Sequence, residues 1–198
     1  MVLSPMKKNL FIFLVPLLFA SSASCQSVSF YKETLVMVLD ASHVTVTGEY
    51  SFRNNYGVEV NQTIFFPLPL ATGELKLDSI SVFDEAEQTY IRNVRKLRSG
   101  LFFQMNFHGQ EQKKIRIFYV MDHDGRNARY LVMTHIQYWK KPLSQGIYTL
   151  KVEDPSITID STSYKPDNVL SENTRTSHTW RKVNFNPDKE FDIWFHKK

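Results

Sequence analysis

One cysteine, seven glycines and no apolar run long enough to cross a bilayer set the first limits on this 198-residue chain. A single thiol, Cys25, excludes an intramolecular disulfide and any multi-thiolate metal site. The longest apolar run, Leu10 to Ala20, is about 11 residues and contains Pro16, where a spanning helix needs about 20. There is no G-x-S-x-G elbow and no glycine-rich phosphate loop, so neither a nucleophile turn nor a nucleotide cradle is expected. The six histidines include no pair four apart, and no metal site is predicted. With 24 basic residues against 20 acidic ones, no strong field of either sign is available for nucleic acid.

What is present begins with a leader. Lys7 and Lys8 precede the apolar run, and Ser21-Ser22-Ala23-Ser24 supplies small residues for cleavage, as in a secretory signal. Two processing routes stay open. Cuts after Ser22, Ser24 or Cys25 all place small residues at −3 and −1. Alternatively Cys25 becomes the lipidated first residue of a lipoprotein, with Ser22 a poor substitute for the usual aliphatic −3 residue. Either way residues 1–25 read as a signal peptide, and the product as exported to the periplasm, to the outer membrane as a lipoprotein, or outside the cell. The remaining ~173 residues suit one domain. Losing Lys7 and Lys8 lowers the formal charge from +4 to about +2.

Within residues 26–198 the alternation has period two. Val44, Val46, Gly48, Tyr50 and Phe52 share one parity; Thr45, Thr47, Glu49, Ser51 and Arg53 hold the other. The same pattern turns Leu101, Phe103, Met105 and Phe107 inward, then Ile115, Ile117, Tyr119 and Met121, then Tyr130 and Val132, Tyr148, Leu150 and Val152, and finally Phe191, Ile193 and Phe195. Trp194 falls on the outward parity. One buried and one wet face is the signature of antiparallel strands. Asn54–Gly57, Ser99-Gly100, His108-Gly109 and Asp124-Gly125 read as turns, Gly48 as a bulge or close backbone approach inside a strand, and the other six glycines as turn residues. Pro67 and Pro69 make the end of Ile64–Leu70 an edge or exit segment. Residues 160–178 are polar and read as a long loop. The predicted fold is all-β: one antiparallel two-sheet β-sandwich of about ten to twelve strands.

The stretch Gly48-x-Tyr50-x-Phe52-x-Asn54, followed by Phe65-Phe66-Pro67-Leu68-Pro69, resembles the opening of the VIT (vault/inter-alpha-trypsin) type of β-sandwich. It is equally similar to secreted bacterial domains of unknown function that share Y-x-F-x-N…F-P-L-P. The resemblance covers about 25 residues and implies a sandwich fold with no catalytic residue. Physically, Tyr50 and Phe52 enter the core and Asn54 bonds its own turn backbone.

The candidates for chemistry are few. Asp122-His123-Asp124-Gly125-Arg126-Asn127 lacks the ligand spacing and closing glutamate of a calcium loop, and reads as a hairpin turn. Two surface features carry the functional expectation. The first is basic: Arg92, Arg95, Lys96 and Arg98, which a meander of 88–98, 101–108 and 113–121 gathers with Lys113, Lys114 and Arg116 at one sheet edge, facing an anionic lipid or acidic partner; on edge strands such charges also block aggregation. The second is aromatic: Tyr138 and Trp139, with Trp180, as a glycan platform or interface anchor, against ordinary core packing. The expected role is that of an exported envelope or extracellular binding or structural protein, not an enzyme. It carries no cofactor and acts through an envelope protein or surface ligand. The alternative is a carbohydrate-binding or carbohydrate-acting protein using surface aromatics. A lipid anchor at Cys25 and no transmembrane span complete the reading.

Overall fold

The structure is a computed structural model that describes residues 27–69, 77–97 and 99–198. The leader, Cys25 with it, and Arg98 lie outside the described residues. Alternating apolar residues build strands β1 (Val28–Leu39), β2 (His43–Asn54), β3 (Val60–Pro67), β4 (Leu77–Asp84) and the two-residue β5 (Thr89–Tyr90). They are followed by β6 (Arg95–Leu97), β7 (Gly100–Phe107), β8 (Gln112–Asp122), β9 (Asn127–Tyr130) and β10 (Leu143–Val152). The chain ends in β11 (Ile157–Thr162), β12 (Asn168–Glu172), β13 (Arg175–Phe185) and β14 (Phe191–Lys197). A five-residue helical turn, His135–Trp139, precedes β10.

Eight strands form one large sheet in the order β12-β13-β10-β1-β2-β8-β4-β5, and β11-β14-β9 and β3-β7-β6 form two small ones. Both small sheets cover the same face of the large one. Phe66 of β3 meets Tyr50 of β2 at 5.2 Å between ring centroids, while Phe191 of β14 meets Tyr148 of β10 at 5.3 Å. The fold is thus sandwich-like and nearly all β, with fourteen strands among the described residues, more than the alternation predicted. It is also not purely antiparallel: β1 and β10 run parallel at the centre. Alternation reports which face a residue takes, and is silent on the neighbouring strand's direction.

The inward residues are those the period-two pattern selects, from Val44 and Val46 on β2 to Phe191, Ile193 and Phe195 on β14. Trp194 is 41% exposed, as its parity requires. Asn54 is fully buried; its Oδ1 accepts the Tyr56 N–H at 2.9 Å, and its Nδ2 donates to the Val58 and His108 carbonyls. β3 ends at Pro67 on the edge of its sheet. Asp124 Oδ1 accepts the Arg126 and Asn127 N–H groups at the turn between β8 and β9, but these strands do not pair: β9 joins β14, so the turn crosses between layers and is not the hairpin expected there.

Further sequence expectations fail. Residues 160–178 are not a loop: they hold the end of β11 and the β12–β13 hairpin, whose polar residues pair through their backbones. The basic segments do not form a meander. β7 pairs with β6 and β3, whereas β8 lies in the large sheet between β2 and β4. Gly146 is not at a turn but inside β10, where it recreates the situation of Gly48 on β2. At each, a Gly-x-Tyr step lets the tyrosine ring fold back along its own strand. An added Cβ would stand 2.1 Å from the Tyr50 hydroxyl at Gly48 and 2.8 Å from the Tyr148 ring at Gly146. The close approach at Gly48 is therefore that of a side chain and not of the backbone expected there. Gly48→Ala should cost about 1–3 kcal/mol through overpacking, read as a lowered denaturation midpoint. A native midpoint would mean that the Tyr50 ring moves aside freely.

Candidate binding surface

The most polar constellation in the molecule is sealed inside it. A register shift between Phe30 and Lys32 on β1 switches the strand's parity, so Glu33 joins Leu35, Met37 and Leu39 in the core, with no exposed surface. Glu33 lies opposite Tyr50 of β2 and Gly146 of β10. The Tyr148 ring, folded over Gly146, brings its hydroxyl to Glu33 Oε2 at 3.0 Å. Tyr130 donates to Glu33 Oε1, and its hydroxyl lies 3.2 Å from that of Tyr50. The Tyr119 hydroxyl is buried without a partner among the described residues. Burial first, and then the Glu33 charge, hold the Tyr50, Tyr119, Tyr130 and Tyr148 phenols well above the ordinary value of 10.0. These phenols are locked in their protonated, donating form. With Glu33 and Tyr148 fully buried, the cluster organises the core.

The accessible chemistry lies at the far edge of the large sheet. Asp84 ends β4 and organises the next turn, its Oδ1 accepting the Ala86 and Glu87 N–H groups. After β5, the Ile91 N–H still bonds the Val82 carbonyl at 2.9 Å. Residues 91–94 then cross to β6 in the opposite layer. That crossing leaves a cleft of about 300 Å³ floored by Ile80, Val82, Ile91, Val94 and Leu101, with Arg92 and Lys96 on its lining. Arg95 lies 5.9 Å from the Phe102 ring centre. Among the described residues, Arg92, Arg95 and Lys96 have no carboxylate partner.

The other described basic residues of the expected cluster are matched. Lys113 faces inward, 7% exposed, between Asp84, Glu87 and Glu111 at 3.9, 3.1 and 3.8 Å. Lys114 pairs with Glu49 at 3.3 Å and Arg116 with Glu85 at 3.2 Å, both on the outer face. The expected basic cluster is therefore divided, and Arg92, Arg95 and Lys96 form its unneutralised part.

The aromatic set does not converge. Trp180 has no exposed surface; its Nε1 donates to the Tyr164 carbonyl at 2.8 Å and its ring stands edge-on to Phe191 at 4.8 Å. Trp139 is buried against Phe30 and Phe52, at 5.9 and 5.4 Å. Tyr138 alone is half exposed, edge-on to Phe65. Trp139 and Trp180 are core residues, so neither offers a stacking face to solvent.

The sequence reading overlooked a second aromatic group. On the outer face Phe118 stands opposite Thr47 and Ser81, and Phe83 opposite Arg116 and Tyr90. Tyr90 is 61% and Phe118 37% exposed. With Arg116, Thr47 and Ser81 they line a shallow depression of about 400 Å³, which shares Ser81 and Tyr90 with the cationic cleft. The available signal was parity: with Ile117 and Tyr119 inward, Phe118 must face out.

Among the described residues no three His, Cys, Asp or Glu side chains are placed to hold a metal ion, and no helix is long and apolar enough to cross a membrane.

No protein-family model and no curated protein matches this chain. Solved structures do. A Legionella pneumophila protein described as a "putative nutrient binding protein" superposes with a TM-score of 0.67 at 11% identity, over 86% of this chain and 67% of that one. An M1 zinc metallopeptidase from Deinococcus radiodurans, solved as a mutant bound to a Tyr-Ser-Ala substrate and in its unsubstituted form, superposes with a TM-score of 0.51 at 9% identity. This chain spans 43% and 42% of the length of those two peptidase chains, and 85% of it is covered in each case. At these identities the likeness is one of fold.

Proposed function

We propose that the chain is an exported binding module without catalytic activity, working by surface contact with an anionic partner in the cell envelope or outside the cell. Export rests on the leader, residues 1–25. The observation that carries the rest is the contrast between two sets of cations. Lys113, Lys114 and Arg116 are each matched by carboxylates within 4 Å. Arg92, Arg95 and Lys96, beside an apolar cleft, are matched by none among the described residues. Cations spaced only to prevent edge aggregation need no apolar cleft between them, whereas a site for an anion with an apolar body needs both. The description of the Legionella protein is compatible with a binding role. The metallopeptidase activity belongs to chains more than twice the length of the shared part.

The test is binding to two anionic probes, phosphatidylglycerol vesicles and polygalacturonate, at low salt and at about 1 M salt, where the screening length is about 3 Å. The chain should bind at least one at low salt and release it at high salt. Replacing Arg92, Arg95 and Lys96 together with glutamate should weaken binding at least tenfold, since each cation near an anionic surface contributes about 1 kcal/mol. Binding to neither probe, or binding that ignores salt and the triple change, rejects the reading.

A further inference from the structure

We infer that the β4–β5 edge is a site for an acidic polysaccharide, whose sugar rings lie on Tyr90 and Phe118 and whose carboxylates reach Arg92 and Lys96. This rests on the anionic-partner reading and names the ligand class. The two depressions at this edge adjoin, with Ser81 and Tyr90 on the lining of both. One supplies exposed aromatic faces and the other unneutralised cations, so a ligand that crosses Tyr90 meets both.

The aromatic half is prearranged. Phe83 stands edge-on to Tyr90 at 5.1 Å and 74°. The Arg116 guanidinium lies 5.1 Å over the Phe83 ring and 3.2 Å from Glu85. Phe83 and Phe118 sit on β4 and β8, paired neighbours in the sheet. Rings carried by strands lose little freedom on binding, which favours contact over reorganisation. The depression also carries the Thr47 and Ser81 hydroxyls and the Arg116 donors. A sugar presents an apolar C–H face to a ring and hydroxyls around it, which matches that mixture of apolar faces and polar rims. A lipid tail would need an apolar groove running on, and here the lining turns polar. Glu85 does not oppose an acidic ligand with a free charge, because Arg116 pairs with it. The cations of the neighbouring cleft make the preferred sugar chain an acidic one.

The experiment is titration of the chain at low salt with polygalacturonate oligomers and with neutral glucan oligomers of the same length. Polygalacturonate should bind at least tenfold more tightly than the glucan. Tyr90→Ala and Phe118→Ala should each weaken it at least fivefold. Tyr90→Ala, with its ring 61% exposed, should leave the unfolding transition unchanged, separating loss of binding from loss of fold. Four results overturn the inference. If polygalacturonate binds and depends on Arg92 and Lys96 but not on the aromatic residues, the site is a charged surface only and the anionic-partner reading stands. If only phosphatidylglycerol vesicles are bound, the partner is a membrane. If neither anionic probe binds, both readings fail together. Equal affinity for the glucan removes the acidic requirement and overturns the inference in that form.

Discussion

Glu33→Leu should lower the unfolding free energy by about 3–5 kcal/mol, although leucine is apolar and the site is fully buried. The loss arises from what the carboxylate leaves behind. Tyr130 and Tyr148 both donate to it, and each phenol left buried without an acceptor costs about 1–3 kcal/mol. The Tyr50 hydroxyl, 3.2 Å from that of Tyr130, is disturbed next. A companion variant isolates the cause: Glu33→Leu combined with Tyr130→Phe and Tyr148→Phe removes both donors that faced the carboxylate, leaves only the Tyr50 hydroxyl without its neighbour, and should recover most of the loss, because removing partners together is often close to neutral. Urea denaturation of the two variants, compared at equal denaturant slope, reads the difference. If Glu33→Leu is as stable as the native chain, the cluster contributes nothing to the fold. If the triple variant is no better than the single one, the loss comes from packing and not from unpaired phenols.

The parts of this architecture that could be read from residues alone share one property, a face in the core and a face in water. β2, β7, β8, β10 and β14 show that alternation, and their inward residues are those buried in the structure. β12 has no such contrast. All five of its residues are exposed, Val169 and Leu170 included, so its pairing with β13 is a matter of backbone hydrogen bonds. β1 is masked differently: its register shift moves the buried positions from Val28 and Phe30 to Glu33, Leu35 and Met37. The assignment of strands to layers is equally invisible. Leu101 and Phe103 on β7 present the same parity to the core as Ile115 and Ile117 on β8, from opposite sides of it. That ambiguity produced the meander that the structure lacks.

The site followed the same logic. Trp180 sits between Thr179 and Arg181, polar neighbours that give the segment a surface look, yet as the inward residue of β13 it is fully buried. Phe118 is its converse, an aromatic on the outward parity of a strand whose other face is apolar. Composition pointed to the tryptophans, whereas parity pointed to Phe118. The ion pairs of Lys113, Lys114 and Arg116 lay beyond both signals, since they join residues far apart in the chain. Only with those pairs in view do Arg92, Arg95 and Lys96 stand apart from the rest of the expected basic cluster as unneutralised charge.

The buried phenols carry the steepest dependence on conditions. Tyr50, Tyr119, Tyr130 and Tyr148 are raised above 10.0 by burial and then by the Glu33 charge. Unfolded, they release protons above about pH 10; folded, they keep them. The native state therefore binds more protons in that range, and stability must fall as pH rises. Below about pH 9 these groups contribute no slope. Above pH 10 each adds about 1.4 kcal/mol per pH unit, so the four together approach about 5 kcal/mol per unit. Urea denaturation at steps between about pH 9 and pH 11 should show this collapse, and phenolate absorbance from the four should appear only as tertiary structure is lost. Phenolates forming while the near-UV circular dichroism stays native would overturn the account. Tyr119→Phe offers a sharper check, because its hydroxyl has no partner among the described residues to lose. It should leave stability at neutral pH unchanged or slightly higher, while removing about a quarter of the alkaline slope. A large loss at neutral pH would show that this hydroxyl contributes to the native core.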